Sequence, residues 1–251
     1  MSRSAFQGVA TVVRFNRDLY GIALGVAATL LSLALIASGW LNIACLVASI
    51  LLILSTGISL AATWLAYDAS GLYRLHWLDP WLRGRGQAAN IHAGFDETTP
   101  LLRDRFPGFQ WSVFDFYDPA RHTEISLRRA RIAHPPSSGT VKISTRHLPV
   151  SAASLDRILL ILAAHEIRKS TERIAFFREL RRALAPGGLV IVAEHLRDWP
   201  NIAAYNLGSV HFHTPATWHD AFATAGFAIV ATLKPAPLIT AFILKKNGIP
   251  D

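Results

Sequence analysis

The sequence predicts an α/β domain that follows a hairpin of two membrane-spanning helices, and two observations support this prediction. Between residues 20 and 64 the 251-residue chain contains no charged side chain. Beyond residue 87, strand-like and helix-like segments alternate, a pattern that is typical of a parallel sheet covered by helices. About 180 residues follow the apolar part, which is enough for one domain with its own core.

The apolar part divides into residues 20–40 and 41–64, and each run is long enough to cross a hydrocarbon core of roughly 30 Å as a helix. The turn between them carries no charge. Arginines flank the hairpin, with Arg3, Arg14 and Arg17 before it and Arg74, Arg83 and Arg85 after it. The positive-inside rule therefore predicts that both termini and the α/β domain are cytoplasmic. We expect an integral protein of a bacterial inner membrane.

The composition narrows the range of partners. The single cysteine, Cys45, lies inside an apolar run, so the sequence predicts neither a disulfide nor a thiolate metal site. The net charge is +8, but the arginines are scattered, so attraction to anionic lipids explains the charge better than nucleic acid does. We expect membrane lipids and no nucleic acid as partners. The sequence does not fix the oligomeric state.

Four regions follow from these patterns. They are a cytoplasmic N-terminal segment (1–19), the transmembrane hairpin (20–66), an interfacial linker (67–87) and the α/β domain (88–251). Residues 67–82 are rich in Tyr and Trp, whose amphipathic rings favour the headgroup level of a bilayer. We interpret this stretch as an interfacial element, with a lid over the active site as the alternative.

The α/β domain is predicted to contain seven strands. They are placed at 88–93, 110–116, 140–144, 158–163, 189–194, 228–233 and 239–245. The helices between them are placed at 98–105, 123–131, 171–184 and 217–225.

Three motifs in this domain point to a known family. Residues 177–192 read FRELRRALAPGGLVIV, a helix that ends in Pro-Gly-Gly before a buried strand, and residues 225–227 read AGF before the last two strands. An LP pair at 148–149 is followed by SLD at 154–156. Residues 88–246 thus resemble class I S-adenosylmethionine-dependent methyltransferases of the type 11 group. The resemblance implies a Rossmann-like seven-stranded domain, methyltransferase activity and S-adenosylmethionine as cofactor.

The cofactor loop of that family has the pattern D-x-G-x-G-x-G, and residues 90–97 here read NIHAGFDE. Gly94 keeps the middle glycine, His92 and Asp96 take the flanking glycine positions, and Asn90 takes the acidic one. Glycines at this loop allow backbone N–H groups and a helix N-terminus to approach the cofactor. The resemblance implies cofactor contacts from His92, Ala93, Gly94, Phe95 and Asp96.

The second family signature is an acidic residue at the end of the second strand, which accepts hydrogen bonds from the ribose hydroxyls. Asp115 stands there, 21 positions after Gly94, with a helix cap as the alternative role. The resemblance further implies cofactor contacts from Phe116 and Ala163. Ser144 or Thr145 could hydrogen-bond adenine, or simply form a turn.

Methyl transfer is an in-line displacement, so the protein must align the acceptor and help to remove its proton. His165-Glu166 follows the fourth strand and His195 follows the fifth, and we predict these three residues to be catalytic. The alternative is histidines that are simply satisfied at strand ends. Tyr73, His211 and His213 are predicted to contact the substrate.

Three functions remain in competition. The leading hypothesis is a membrane-anchored methyltransferase of a lipophilic molecule such as a quinone, an isoprenoid or a lipid headgroup, because a tether helps only if the substrate is at the membrane. The altered glycine loop favours a catalytically silent binding module instead. A metal-dependent enzyme built on the dispersed histidines is the third, but their spacing matches no metal motif and we assign no metal ligand.

Overall fold

A computed structural model describes residues 4–248, so Arg3 and the last three residues of the predicted domain lie outside the described part. The chain begins with three helices, α1 (Gln7–Phe15), α2 (Arg17–Ile36) and α3 (Trp40–Trp64). Gly39, at φ +62°, lies in the short connection between α2 and α3. The Ser49 hydroxyl donates to the Ala27 carbonyl (2.9 Å) and joins the two helices. Two paired apolar helices are therefore present where the transmembrane hairpin was predicted, and they are preceded by α1, for which no helix was predicted.

The surfaces of α2 and α3 are largely apolar and uncovered. Leu35 and Ile36 are each 81% exposed, and Ile43 is 62% exposed. Arg17–Ile36 and Trp40–Arg74 are long and apolar enough to cross a membrane, as judged by length and composition. In each of these two segments, only 11% of the most apolar 18-residue stretch is buried within the protein. The core helix of a soluble domain would be mostly buried.

The aromatic-rich segment after α3 packs as part of the domain. It forms a π-helical turn (Leu65–Ala69) and two 3₁₀ turns (Leu72–Arg74 and His76–Leu78). Leu72 in the first 3₁₀ turn and Leu75 between the two are buried in the apolar cluster on one face of the sheet. The segment therefore packs into the core of the domain, and its predicted roles as an interfacial element or as a lid stay predictions.

One sheet of seven strands forms the centre of the domain, in the order β3-β2-β1-β4-β5-β7-β6. β7 runs antiparallel to both of its neighbours, β5 and β6, and the other pairs of neighbouring strands in the described part of the chain are parallel. This confirms the predicted Rossmann-like architecture, and each predicted strand overlaps an observed one. The strands are β1 (Gly86–His92), β2 (Phe109–Asp115), β3 (Thr140–Lys142), β4 (Leu155–Ile161), β5 (Leu184–His195), β6 (Phe227–Ala236) and β7 (Ile239–Lys246).

Helices cover both faces of this sheet. They are α4 (Thr99–Arg105), α5 (Ile125–Ala133), α6 (Ser170–Ala183), α7 (Trp199–Tyr205) and α8 (Pro215–Thr224). All but α7 were predicted. The seven-residue α7 begins with Trp199-Pro200 and is capped by the Asp198 side chain, which accepts a hydrogen bond from the Asn201 N–H (3.2 Å).

Two apolar clusters fill the two faces of the sheet. Along β4, Ile158 and Leu160 belong to one cluster and Leu159 and Ile161 to the other. This alternation follows from the period of two in a strand, and it is why both faces of a parallel sheet read as apolar. The first cluster joins the sheet to the aromatic rings of α6 and α8, and the second joins it to α4 and the turns after α3.

Two glycines of the family motifs have backbone reasons for being glycine. Gly187, in the Pro-Gly-Gly element, has φ +75°, and Gly226, in the Ala-Gly-Phe element, has φ +83°. A Cβ on Gly226 would lie 2.8 Å from the Arg181 Nε, which donates to the Gly226 carbonyl (3.2 Å). Both positions favour glycine because other residues rarely adopt this conformation.

Candidate functional site

A cavity of about 460 Å³ lies between the carboxyl edge of the sheet and the N-terminal helices. The sheet contributes His92 at the end of β1, Ile161 at the end of β4 and His195 at the end of β5, and the turn after β4 contributes His165. This is the switch point where the strand order reverses between β1 and β4, the usual ligand position in open α/β sheets. The helices contribute Thr11, Phe15, Leu19, Tyr20, Ser59 and Thr63.

Helix α1 is held firmly as one wall of this cavity. The Asp68 carboxylate accepts hydrogen bonds from the N–H groups of Gly8 (2.7 Å) and Val9 (3.1 Å) in its first turn. Acidic groups at a helix N-terminus stabilise it through its free N–H groups and dipole. At the other end, Arg129 on α5 donates to the Phe15 carbonyl (3.1 Å). The helices α1 to α3 and the α/β domain therefore line one cavity together.

A buried carboxylate organises the loop after β4. Glu194, near the end of β5, is completely buried, and its Oε1 accepts hydrogen bonds from the N–H groups of Ala163 (3.1 Å), Ala164 (2.7 Å) and His165 (3.2 Å). Its Oε2 accepts a further hydrogen bond from His165 Nδ1 (2.6 Å). The Ala163 N–H, in the segment predicted to contact the cofactor, thus bonds to Glu194.

His165 lies at the centre of a chain of acids and imidazoles. Its Nε2 is 3.3 Å from Glu166 Oε1, which is 3.6 Å from His211 Nε2, and His211 Nδ1 is 2.6 Å from Glu124 Oε1. Burial alone would lower the pKa of His165, but the adjacent carboxylates Glu194 and Glu166 outweigh it and raise the pKa to about 10. A histidine protonated at neutral pH is a poor general base, so the predicted base role of His165 has no support in this geometry.

His195 is neutral by contrast. Burial lowers the pKa of this imidazole to about 4. Its Nδ1 lies 3.0 Å from Asn201 Oδ1 and therefore carries the proton, so its Nε2 accepts a hydrogen bond from the Tyr67 hydroxyl (2.8 Å). The ring stacks on Phe212 (4.8 Å between centroids). His195 and Tyr67 both line the cavity and form a neutral pair that can relay a proton.

The His92 ring presents an unsatisfied donor. The Gly94 N–H donates to His92 Nδ1 (3.2 Å), so the proton of this imidazole sits on Nε2. Burial lowers the pKa of His92 and keeps the ring neutral. Among the residues that the structure describes, Nε2 has no hydrogen-bond partner, and the ring lines the cavity. A buried donor of this kind favours a ligand that brings an acceptor.

Asp115 lies at the end of β2 opposite His92, as the family pattern implies, but its carboxylate is already engaged. Its Oδ1 accepts a hydrogen bond from the Tyr117 N–H (2.9 Å), and its Oδ2 is paired with the Arg131 guanidinium of α5. Gly94 has φ +90°, and a Cβ there would lie 2.9 Å from the Tyr117 ring. Tyr117 and Arg131 therefore already engage the carboxylate that is predicted to bind the ribose.

Asp96 and Asn90 build the loop itself. Asp96 Oδ1 accepts hydrogen bonds from the N–H groups of Thr98 (3.0 Å) and Thr99 (2.9 Å), which caps the start of α4. The Asn90 amide donates to the hydroxyls of the same two threonines (3.0 and 2.8 Å). The predicted cofactor contact of Asp96 is therefore replaced by a capping role. Of its predicted neighbours, Ala93 is buried and Phe95 lines the cavity.

The remaining cofactor candidates lie away from the cavity wall. Phe116 is buried in the core against Phe176 (5.5 Å between centroids), so it is a packing residue rather than a cofactor contact. Thr145 is buried and donates to Glu172 (2.6 Å), whereas Ser144 is exposed in a turn. Their predicted contacts to adenine stay predictions.

Of the three residues predicted to contact the substrate, two line the cavity and one does not. Tyr73 and His211 line the cavity, and the Tyr73 hydroxyl donates to Glu97 (2.9 Å). His213 is not part of the cavity wall among the described residues, because it lies behind the wall, where its Nε2 accepts from Arg173 (3.1 Å). Sequence reasoning missed Glu194, Tyr67 and the residues of α1. An acid at the end of a buried strand was the only signal available for Glu194.

Comparison with known proteins supports the enzyme class. Residues 117–192 match the family described as "Methyltransferase domain". No curated protein matches the sequence. The matched segment begins at Tyr117, after the cofactor loop and Asp115, so it does not include the altered signatures.

Solved structures share the fold. The chain is similar to an S-adenosylmethionine-dependent methyltransferase from Methanosarcina mazei, with 12% identity and a TM-score of 0.51 over 70% of this chain and 98% of that one. It is also similar to one from Aquifex aeolicus, with 10% identity and a TM-score of 0.53 over 76% of this chain and 97% of that one. It is also similar to PigF, solved with SAH. The identity is 19% and the TM-score 0.50, and the likeness covers 71% of this chain and 60% of that one. These likenesses show the fold. The match to the methyltransferase family supports a methyltransferase, for which S-adenosylmethionine is the predicted cofactor.

The residues present fit this cofactor if one internal contact opens. The orphaned Nε2–H of His92 can donate to it, and Asp115 and Gly94 stand at their family positions. The Arg131 guanidinium must first leave the Asp115 carboxylate. Arg131 can do so, because its side chain is 22% exposed and long enough to turn outward.

Proposed function

We propose that the chain is a membrane-anchored, S-adenosylmethionine-dependent methyltransferase whose acceptor is a lipophilic molecule taken from the bilayer. One observation carries this proposal. The cavity at the carboxyl edge of the sheet is closed by the helices of the anchor, including Leu19 and Tyr20 of α2 and Ser59 and Thr63 of α3. A soluble acceptor would need no wall of this kind.

The exposed apolar surface supports the membrane part of the proposal. The uncovered leucines and isoleucines of α2 and α3 need an apolar environment, because patches of this size are rare on soluble monomers. Trp199 (82% exposed) and Leu207 (88% exposed) add apolar side chains on a segment that contacts α3 through the Asn206–Ser55 hydrogen bond (2.9 Å). We place this segment at the cytoplasmic surface of a bacterial inner membrane.

The chemistry of the cavity wall suits an amphipathic acceptor. The wall from the anchor is apolar at Val12, Phe15 and Leu19, and the wall from the sheet carries His165 and His195. An acceptor with a polar head and an apolar tail would satisfy both sides, as quinones, isoprenoids and lipid headgroups do. Its head would then lie against the sheet and its tail toward the hairpin.

The chain's own residues would bind the cofactor and manage one proton. Asp115, Gly94 and His92 would hold S-adenosylmethionine, which supplies an electrophilic methyl group when bound. Of the two imidazoles at the ends of β4 and β5, only His195 is neutral at neutral pH. The Tyr67 hydroxyl, bonded to His195 Nε2, is the group through which a proton can leave the acceptor.

Cofactor binding can be tested with a matched pair of aspartates. The full chain in detergent micelles is titrated calorimetrically with S-adenosylhomocysteine. We expect binding by the wild type and by the control Asp118→Asn, whose side chain is 44% exposed and outside the cavity wall. Asp115→Asn should bind at least tenfold more weakly. Absence of binding by the wild type would contradict the proposal.

The same experiment decides the second candidate function, a catalytically silent module that binds a membrane partner. The observation that favours it is the engagement of Asp115 by Arg131 and of the α4 N-terminus by Asp96. Such a module would bind no S-adenosylhomocysteine, whether or not Arg131 is removed.

A further inference from the structure

We propose that His165, Glu166 and His211 form a binding site for one divalent transition-metal ion, which faces the cavity. The ligand atoms of these three residues lie within 4.8 Å of one another, and all three residues line the cavity. They come from the turn after β4 and from the segment that precedes α8, so the fold brings together two parts of the chain that the sequence separates by more than forty residues.

The atoms at the centre of the cluster, which are Glu166 Oε1 and the Nε2 atoms of His165 and His211, have the chemistry of a metal site. Glu166 Oε1 is 3.3 Å from His165 Nε2 and 3.6 Å from His211 Nε2, and the two imidazole rings meet edge to face with centroids 5.1 Å apart. Each Nε2 therefore points toward the same carboxylate. Two imidazoles and one carboxylate bind transition metals such as zinc or iron, whereas magnesium and calcium prefer oxygen ligands.

The stronger argument comes from the Nδ1 atoms of the two histidines, which face away from the centre of the cluster. His165 Nδ1 donates to Glu194 (2.6 Å), and His211 Nδ1 lies 2.6 Å from Glu124 Oε1, to which it can donate once the Arg168 guanidinium, which also contacts this nitrogen, has turned away. A carboxylate on the far nitrogen fixes the ring orientation, keeps the lone pair on Nε2 and raises its basicity, which is the usual outer shell of metal-binding histidines. Both histidines of the cluster have this support, and a purely structural pair of histidines does not require it twice.

The charge of the cluster also suits a dication. Glu124, Glu166 and Glu194 carry negative charges, and Arg168, which donates to Glu124 (2.7 Å), supplies one positive charge. A metal ion that binds His165 Nε2 displaces the proton that this imidazole carries without metal, and with both imidazoles then neutral these groups leave two negative charges. A divalent ion would balance them within a partly buried site.

The contacts between Arg168 and the His211 ring have to change for the ion to enter. The Arg168 guanidinium touches Nδ1 and also lies 2.9 Å from Nε2, the nitrogen that would bind the metal. Its side chain is 38% exposed, so it can turn away from the ring and keep its contact with Glu124. The positions on the ion that the protein does not fill would face the cavity.

These open positions suggest the class of acceptor, an inference that rests on the proposed function. A metal held by three protein ligands keeps room for one more oxygen, and it lowers the pKa of a hydroxyl bound there. The acceptor would then be a lipid-soluble molecule that binds through a hydroxyl or phenol oxygen. Metal binding itself does not depend on the cofactor.

The test measures metal binding alone. The full chain, purified in detergent with a tag that contains no histidine, is stripped with a chelator and titrated with Zn²⁺ by calorimetry, and bound zinc is counted by mass spectrometry. We expect one zinc per chain, and His211→Gln should weaken binding at least a hundredfold. Glu124→Gln, which leaves all three ligands in place, should weaken it roughly tenfold to a hundredfold.

A matched histidine serves as the control. His147→Gln changes an imidazole that is 76% exposed and remote from the cluster, so it should bind zinc as the wild type does. Circular dichroism of each variant shows that it is folded. Less than one-tenth of an equivalent of zinc in the wild type, or equal binding by His211→Gln, would overturn the proposal. S-adenosylhomocysteine titrated in the absence of metal tests the proposed function separately.

Discussion

The Asp115 carboxylate at the end of β2 is paired with the Arg131 guanidinium of α5, and this pair occupies the position where the fold family recognises a ribose. Arg131 also lies over the Tyr117 ring, with its guanidinium carbon 5.5 Å from the ring centroid. The cofactor must therefore compete with a side chain of the protein itself.

Removing Arg131 should strengthen cofactor binding. In Arg131→Met the cofactor no longer has to displace the guanidinium, and we expect about tenfold tighter binding of S-adenosylhomocysteine, which corresponds to ~1.4 kcal/mol. Calorimetry on the full chain in detergent measures this change. Arg128→Met, an exposed arginine on the same helix, is the control and should bind as the wild type does. Weaker binding by Arg131→Met would show that the arginine contributes to the cofactor site instead.

Gly94 should tolerate no side chain. At φ +90° an alanine is strained, and its Cβ would lie 2.9 Å from the Tyr117 ring, so we expect Gly94→Ala to lower the free energy of unfolding by roughly 1–3 kcal/mol. Urea unfolding followed by tryptophan fluorescence measures this loss. Gly208→Ala, where the nearest atom is 3.7 Å from the added Cβ and φ is not positive, should change stability far less. Equal effects of the two substitutions would refute the explanation.

The neutral state of His195 should make the protein sensitive to acid. Burial lowers the pKa of the folded His195 to about 4, whereas an unfolded histidine titrates near 6.5. Between these values the unfolded chain binds more protons, so stability is complete above pH 6.5 and is lost as the pH falls toward 4. We expect His195 to account for roughly 3 kcal/mol of this loss.

Unfolding free energies at pH 7 and pH 4.5 check this prediction. His195→Gln should reduce the difference between the two pH values, although the variant itself is expected to be less stable. His213, whose pKa burial also lowers to about 4, should contribute in the same direction. If His195→Gln kept the full pH dependence of the wild type, the assignment of a neutral, buried His195 would be wrong.

The hydroxyl of Tyr67 should affect the chemical step more than binding. Tyr67→Phe removes the donor to His195 Nε2 but keeps the ring that lines the cavity. We expect kcat for methyl transfer to fall roughly tenfold or more, with unchanged affinity for S-adenosylhomocysteine. The pH profile of kcat should change as well, because a proton relay has been interrupted. A change in KM alone would indicate that the hydroxyl only binds the acceptor.

Most of the fold follows from the sequence. Buried strands read as apolar runs, so the strands and the long helix α6 were found to within a few residues of their ends. The helices α1 and α7 were missed although α4 and α5, which have the same lengths, were found. Helix α1 lies in the stretch that was read as a cytoplasmic N-terminal segment, and α7 lies in the stretch after the fifth strand, where no element was placed. β5 begins at Leu184, before the Pro-Gly-Gly element, because Leu184 pairs with Leu155 across an irregularity in the ladder.

The site was predicted less completely. His165 and Glu166 could be located from the end of β4, and His92, His195 and His211 also line the predicted edge of the sheet. The partners that decide their protonation could not be predicted, because Glu194 and Glu124 approach from elements far away in sequence. The same holds for the pairing of Arg131 with Asp115, which depends on how α5 packs.

Transfer of a radiolabelled methyl group tests the central claim most directly. The full chain in detergent is incubated with S-adenosylmethionine labelled in the methyl group and a bacterial membrane extract, and the organic phase is counted. We expect labelled product in the organic phase with the wild type and with Asp118→Asn, and at least tenfold less label with Asp115→Asn. No label above the enzyme-free background, together with no binding of S-adenosylhomocysteine, would contradict it.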